Sequence, residues 1–438
     1  MLNRSSVIPE LQRALQSLQS DETIAVFHLD IVNFSEINSS VGFDEGDSVL
    51  IEIADRLRSV IRAEDALARL DGDEFVVVST CSGPSGSWTV LARKLLSDFD
   101  EVFEIGGRRV ALRGSLGVSE TTDRRQNPTV LLENAGLASR HGRAHDEHLT
   151  VFEEEMRAAA TERFELAADL KSNLDTDQFT IVYQPLFDLW ANQVTSVEAL
   201  LRWHHPTRGH ISPGMFIPLA ESTGSIVELG RMVMRRACRQ LAEWQGSLPG
   251  GEHLAVAVNV SAKQLELPGE AEVLRSIIAE AGVEPSKLTI ELTESTFIED
   301  AVWLREQLEG FQRLGIRIAV DDFGAGSAGL SHLRDVPFDI LKIDKAYIDD
   351  LETSAESVSL VRGVVELAHG LHARLVAEGI ETPGQLSILR DMGCDFGQGF
   401  FLGRPMTAEA LERWIGQGWA GEAAAVIMDE TRERASRF

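Results

Sequence analysis

Glu198-Ala-Leu-Leu-Arg-Trp203 closes a short apolar run and sets one acid near the end of what reads as a buried strand. The arrangement recurs downstream. Asn259 ends Leu254-Ala-Val-Ala-Val258, Glu291 and Glu294 lie in Leu288-Thr-Ile-Glu-Leu-Thr-Glu294, and Asp321-Asp322 follow Arg317-Ile-Ala-Val320. Then come Lys342 in Ile340-Leu-Lys-Ile343, Glu378 after Leu375-Val-Ala377, and Gln398 in Phe396-Gly-Gln-Gly-Phe400. A single buried carboxylate at a strand end is usually a satisfied hydrogen-bonding group, but acids at so many strand ends in one order are hard to explain as packing. Polar groups gathered at the C-terminal ends of parallel strands are how a (β/α)8 barrel builds its active site.

Working outward, strand signals fall near 180–187, 194–201, 254–259, 288–292, 317–321, 339–343, 373–378 and 396–402. Helical patterns lie between them, as at 224–244, 301–314, 357–371 and 408–414. The first two strands are joined by only a few residues, whereas parallel neighbours need a crossover of about a dozen or more. Strand one should therefore run antiparallel to strand two, giving an α/β fold with a modified, TIM-like (β/α)8 barrel over residues 174–420. Residues 421–438 read as a frayed tail.

Upstream, residues 1–155 mix strand and helix patterns: a strand over 23–30, a helix over 46–62, strands over 109–118 and 149–152. Asp71-Gly72 between Ala66–Leu70 and Phe75–Ser79 signals a two-residue type I′ hairpin. This predicts an α/β domain around a mainly antiparallel sheet. Glu153–Asn173 is acidic and Ala-rich, with neither Gly nor Pro, so 156–173 reads as a helical connector or as the first helix of the barrel domain.

The net charge of −28 argues against a nucleic-acid surface, because that affinity rests on Lys and Arg neutralising phosphates. Cys81, Cys238 and Cys394 are odd in number and lack metal-ligand spacing, which fits reduced thiols in a cytoplasmic protein. No run approaches the ~18 apolar residues of a membrane span, and no signal peptide opens the chain.

Glu198, Asn259, Glu291, Asp321, Asp322 and Glu378 are hard oxygen ligands, suited to Mg²⁺ or Mn²⁺ rather than zinc. Adjacent aspartates let one bridge two cations while the other binds one, and a metal pair ~3.5–4 Å apart serves in-line displacement at phosphorus. Lys342 could orient or deprotonate a water, neutralise phosphate, or simply form a salt bridge to these acids. A sugar or sugar-phosphate barrel using its acids for proton transfer is the competing reading.

Residues 180–410 resemble the EAL domain, a bacterial phosphodiesterase that hydrolyses cyclic di-GMP to linear pGpG. The matching segments are Tyr183-Gln-Pro185, Glu198-Ala-Leu-Leu-Arg-Trp203, Val258-Asn-Val-Ser261, Glu291-Leu-Thr-Glu294, Asp321-Asp-Phe-Gly324, Leu341-Lys-Ile-Asp344, Ala377-Glu-Gly-Ile-Glu381 and Gly397-Gln-Gly399. The resemblance implies that Glu198, Asn259, Glu291 and Asp321 bind one metal, and Asp321, Asp322 and Glu378 the second. It implies that Lys342 assists the attacking water and that Gln184, Arg202 and Gln398 hold substrate or metal-bound waters. Glu294 would brace the loop after Asp322, which in this family links metal occupancy to homodimerisation. In that loop Gly324-Ala-Gly-Ser-Ala-Gly329 lacks some of the usual bulkier residues.

The first domain resembles the GGDEF domain, which condenses two GTP into cyclic di-GMP. Its signature reads Asp71-Gly-Asp-Glu-Phe75, with aspartate replacing the first glycine. By resemblance Asp30 and Asp73 are metal carboxylates, Glu74 belongs to the signature, and Asn38 and Asp47 contact guanine. Asp30-Ile-Val-Asn-Phe-Ser35 lacks the usual second aspartate and the lysine, and Phe43 stands where histidine is common. Ala135–Arg143 reads as shorter than the family's helix, without its phosphate-binding lysine. Arg62-Ala-Glu-Asp65 ends five residues before the signature, the register of the family's product-inhibition motif, although such a tetrapeptide is usually a helix-end ion pair. Leu2-Asn-Arg4 matches the end of the family's opening segment, whose earlier part is absent. The leading expectation is a phosphodiesterase with a degenerate cyclase domain that responds to GTP or cyclic di-GMP. The alternatives are a bifunctional cyclase/phosphodiesterase and a non-catalytic cyclic di-GMP receptor.

Overall fold

The computed structural model describes residues 2–32, 34, 42–83, 85–97, 102–105, 108–110, 112–174, 176–297, 301–324 and 336–416. It divides into two compact units, Met1–Glu165 and Leu166–Phe438.

In the first unit the strands are β1 (Leu2–Asn3), β2 (Glu22–Ile31), β3 (Ala66–Arg69), β4 (Glu74–Ser82), β5 (Phe103–Ile105), β6 (Arg108–Val110), β7 (Gly114–Thr121) and β8 (Leu149–Val151). The main sheet has the order β1-β3-β4-β2-β7-β8. Its three inner pairings are antiparallel, and the edge pairings β1–β3 and β7–β8 are parallel. Three expectations need correcting. The strand expected over 109–118 is two strands, since β6 leaves the main sheet to pair with β5 alone. The β3–β4 connection is not a two-residue type I′ turn. Glu74 N–H closes it onto Asp71 O at 2.8 Å, and only Gly72 has positive φ, +49°, where type I′ needs two such residues. Finally, the helix read over 135–143 extends back to Pro128, making the 17-residue helix Pro128–Ala144, started by Asn127 accepting from Thr129 N–H.

The expected connector is the helix Glu154–Asn173. Its Leu166 and Leu170, with Leu174, enter the core of the second unit.

The second unit carries β9 (Phe179–Asp188), β10 (Gln193–His205), β11 (Gly209–Ile211), β12 (Ala255–Asn259), β13 (Leu288–Thr293), β14 (Arg317–Phe323), β15 (Ile340–Ile343), β16 (Arg374–Ala377) and β17 (Phe396–Gly397). The sheet runs β11-β10-β12-β13-β14-β15-β16-β17-β9, and β9 also pairs with β10, so eight strands close a barrel with β11 appended. β9 is antiparallel to both its neighbours, as the short connection required, and the other barrel pairings are parallel. Asn192, in the left-handed region at φ +54°, ends the tight turn, and Asp188 caps it through Trp190 and Ala191 N–H. The last strand was expected over 396–402; it stops at Gly397, and 398–403 is turn.

The large core lies between strands and surrounding helices. Phe179 and Trp203 stack there at 5.2 Å with Phe216 edge-on. Alternate residues face inward, and the interior holds only a small apolar cluster of Ala319, Ile340 and Val376 with Leu186 and Phe396 beside it. Among the described residues, no helix is long and apolar enough to cross a membrane.

Candidate active site

Strand register sets the site. Glu198, Asn259, Glu291 and Asp321 follow the inward-facing alternation of β10, β12, β13 and β14, with Asn259 directly opposite Glu291. Adjacent strand residues normally face opposite ways, so a second acid at Asp322 needs an irregularity. β14 supplies it: Val320 pairs with Leu341 and Phe323 with Ile343, leaving Asp321 and Asp322 opposite Lys342 alone. This two-against-one bulge re-aims a side chain. Asp322 takes φ +54°, a conformation aspartate tolerates better than most residues.

The carboxylates converge. Ligand oxygens of Glu198, Glu291 and Asp321 lie within 4.8 Å of one another, and so do those of Asp321, Asp322 and Glu378. Asp321 is common to both groups. Lys342 Nζ sits among them, 2.7 Å from Glu378, 3.0 Å from Asp321, 3.1 Å from Glu291 and 3.7 Å from Glu198. The ammonium is 2% exposed. Asn259 Nδ2 donates to Glu198 Oε1 at 2.9 Å, and Gln398 Nε2 to Glu198 Oε2 at 2.7 Å. Gly399 allows the second contact, because a Cβ there would stand 2.2 Å from Ile380 backbone and push the turn outward.

Burial opposes ionisation throughout the cluster. It raises Glu291 well above the carboxylate range and Glu378 to about 7, against the pull of Lys342. Glu198 is buried too, yet Lys342 and the Gln398 and Asn259 amides hold it below its ordinary value. Lys342 would be lowered by burial but is held well above its usual range by the surrounding carboxylates. Compact, all-oxygen donor sets with one shared carboxylate suit a pair of hard divalent cations.

The remaining expected residues are more dispersed. Gln184 lies opposite Glu198 on β9 but donates to Gly403 O at 3.1 Å. Arg202 Nη1 donates to Leu201 O, and its guanidinium lines a cavity of about 610 Å³ shared with Asn259, Glu291 and Asp322. Glu294 is buried and accepts from Gly324 N–H at 2.8 Å, at the root of the loop after Asp322; residues 325–335 of that loop lie outside the described residues. Sequence reasoning missed the apolar wall of this cavity, including Ile217, Ile226 and Leu229, and the Ser261–Glu221 hydrogen bond beneath it. Ile217, Ile226 and Leu229 sit on helices after β10, where no polar signal marks them. It also missed Tyr347, whose hydroxyl donates to Gly324 O at 2.8 Å.

In the first unit Asp30 and Glu74 are cross-strand neighbours. Burial, then Asp30, raises Asp73, while His28 lowers Glu74. The helix Pro128–Ala144 brings cations that the sequence reading did not assign. Arg143 Nη1 is 3.1 Å from Asp30, and Arg140 also helps hold Glu74 low. Asp71 is exposed and pairs with Arg4 at 2.7 Å. Asp65 is buried and caps Arg62 N–H at 2.8 Å, a turn-stabilising contact rather than a side-chain ion pair. Asp47 lies on the helix Phe43–Val60, whereas Ser35 and Asn38 lie outside the described residues.

A closed barrel with one antiparallel strand and clustered metal-type carboxylates defines a narrow class, and the EAL domain model matches residues 167–405. The chain belongs to the EAL domain family. The diguanylate cyclase GGDEF domain model matches residues 1–148, which makes the chain a GGDEF–EAL tandem. It is 38% identical over 412 residues to the bifunctional diguanylate cyclase/cyclic di-GMP phosphodiesterase MucR of Pseudomonas aeruginosa, covering 93% of this chain and 60% of that protein. It is 35% identical to the cyclic di-GMP phosphodiesterase NbdA of the same organism, covering 90% of this chain and 50% of that one. The chain thus spans roughly half to three-fifths of these relatives. Among solved structures, the PaMucR phosphodiesterase in complex with c-di-GMP matches with TM-score 0.54 and 40% identity, covering 56% of this chain and 99% of that one.

Proposed function

We propose that the barrel is a metal-dependent phosphodiesterase that hydrolyses cyclic di-GMP to linear pGpG. The observation that carries this reading is the pair of carboxylate groups sharing Asp321, which fits two divalent cations such as Mg²⁺ or Mn²⁺. Bound there, such cations activate water and stabilise charge at phosphorus. Glu198, Asn259, Glu291 and Asp321 would hold one, and Asp321, Asp322 and Glu378 the other. Asn259 and Gln398 fix the Glu198 carboxylate through its two oxygens. Lys342 lies among the acids and would orient the attacking water or a phosphate oxygen. Arg202 and Gln184 would hold substrate, with the adjoining cavity excluding water from one side; its volume falls in the ~300–1,000 Å³ range of ligand sites. Glu294 braces the following loop, through which the domain would form a homodimer.

Incubation with cyclic di-GMP and Mg²⁺ or Mn²⁺, followed by product analysis, tests the reading. Linear pGpG is expected with either cation and no turnover in EDTA. Cation binding must displace the Glu378 proton, held to about 7. The metal concentration giving half-maximal activity should therefore be about tenfold higher at pH 6 than at pH 8. Turnover unaffected by EDTA would overturn the metal-dependent assignment.

The first domain we read as a nucleotide-responsive regulator with little cyclase activity. Asp71, Ser35 and the missing lysine bear on the triphosphate rather than the base. Asn38 and Asp47 would read guanine, and Arg62 and Asp65 a cyclic dinucleotide. The second reading, a bifunctional enzyme, is favoured by one observation: Arg143 beside Asp30 supplies a cation on the helix that lacks the family's phosphate-binding lysine. One pair of assays separates them. GTP is expected to alter phosphodiesterase kcat or KM by roughly 5- to 150-fold, and to yield little cyclic di-GMP in a Glu198→Ala background. Robust accumulation there establishes the bifunctional reading, and no response of either kind leaves the domain a structural relic.

A further inference from the structure

The opposite end of the barrel is also hollow. TIM-like barrels usually fill their interior with layers of bulky side chains. Here the inward positions at the strand starts include Ser196, Ala255 and Thr289, with Ala257 and Ala319 one layer above. They leave a cavity of about 570 Å³ that opens at the N-terminal ends of the strands and stops at Glu198, Glu291 and Gln398. It is separate from the 610 Å³ cavity at the catalytic end, although Glu291 borders both.

Its two regions differ in chemistry. The walls are apolar, built from Leu186, Ile340, Val376 and Phe396. The Arg374 guanidinium lies over the Phe396 ring, 5.9 Å from its centroid. The mouth carries Lys287, Arg317 and Arg374, with His253 and His372 beside them. Two acids, Asp188 and Asp339, also line it, but each has an oxygen committed to backbone N–H groups: Asp188 to Trp190 and Ala191, and Asp339 to Ile318. Arg374 Nη1 is also paired with Asp395 at 3.3 Å, just outside the lining, so three fixed cations face three acids at this mouth, in a chain whose net charge is −28.

Arg317 adds an independent observation. Its Nη2 donates to Ser286 O at 3.1 Å, but its Nε is buried and finds no acceptor among the described residues. Burial also pushes its guanidinium below the usual range, with Asp339 only partly compensating. A donor held from water without a partner costs about 1–3 kcal/mol.

We propose that the N-terminal end of the barrel is a second ligand site, for a small organic anion with a flat ring body. The body lies between Phe396, Ile340 and Val376, and the anionic group meets Arg317, Arg374 and Lys287. The inference does not depend on the reaction assigned to the opposite end.

GMP is a suitable probe, because it joins a flat base to one phosphate, and titration calorimetry on the full chain reads its binding. GMP should bind with Kd below about 1 mM. Guanosine and inorganic phosphate should each bind at least about tenfold more weakly, since each lacks one half of the recognition. Arg317→Met and Arg374→Met remove charge, whereas Ser196→Leu narrows the cavity and leaves every charge in place. All three should weaken GMP by about tenfold or more, roughly 1.4 kcal/mol, and thermal unfolding identifies any variant that fails to fold. GMP affinity unchanged in every folded variant would place the nucleotide elsewhere and overturn the site. Phosphate binding as tightly as GMP would overturn the organic body.

Discussion

Replacing Glu198 with alanine is expected to lower cyclic di-GMP hydrolysis about a thousandfold or more, equivalent to ~4 kcal/mol in the barrier. Glu198 belongs to the three-carboxylate group and receives both the Asn259 and Gln398 amides. Its loss removes a charged ligand and frees two side chains that its oxygens hold in place. The charge and the packing can be separated, because Glu198→Gln keeps the volume and most of the contacts. If the cluster acts through bound cations, both variants lose activity and both bind Mn²⁺ more weakly. Wild-type turnover in either variant would sink the assignment of this cluster to catalysis.

Lys342→Met should destabilise the metal-free barrel by about 3–5 kcal/mol, the usual cost of removing one partner from a buried ionic group. Lys342 is the one cation within 4 Å of Glu198, Glu291, Asp321 and Glu378 among the described residues, and methionine approximates its volume without its charge. The midpoint of thermal unfolding should fall by roughly 10 °C for a domain of this size. Saturating Mg²⁺ or Mn²⁺ should restore most of the difference, since cations bound only by the folded state stabilise it by mass action. The pH dependence has a definite sign. Glu378 is raised from 4.5 to about 7, so the folded state holds a proton that the unfolded state gives up. That contribution is full below the unfolded value and is lost as pH rises through about 7. Without the lysine Glu291 and Glu378 rise further, so the variant should recover stability at pH 5 and be weakest above pH 7. An unfolding midpoint matching wild type in metal-free buffer at pH 8 would show that the ammonium does not hold the cluster together.

Much of the barrel was legible because its strands are short and apolar, and each ends near a polar residue. Seven of the eight expected strand spans fall close to the observed ones, and the short link between Asp188 and Gln193 requires an antiparallel β9 before any register is known. The bulge in β14 was not legible. Asp321-Asp322 is legible as an adjacent pair of ligands, but not how neighbouring strand residues could face one site; the pairing of Val320 and Phe323 with residues two apart turns both acids toward it. β17 was overextended because Gln398–Leu402 keeps an apolar rhythm while its backbone turns beside Ile380. In the first domain, short-range composition misled twice. A nine-residue window understates a helix that begins at Pro128, and nothing local marks that Arg143 reaches Asp30, 113 residues away. Long-range ion pairs of this kind follow from topology, not from local pattern.

The antiparallel β9 also changes where force enters the barrel. In a regular (β/α)8 fold the incoming chain joins its first strand at the end remote from catalysis. Here Phe179, the first residue of β9, stands opposite Trp203 near the far end of β10, with Thr180 opposite Arg202. The C-terminal turn of the helix Glu154–Asn173 is tied to the same rim: Asp169 to His205 at 3.1 Å, Asn173 to Gln178 at 3.0 Å, and Gln178 onward to Trp203 at 3.2 Å. A twist of this helix, if one occurs, would enter within a few residues of Arg202 and would not have to cross the depth of the barrel. The helix is moored on the rim, beside the strand that carries Glu198.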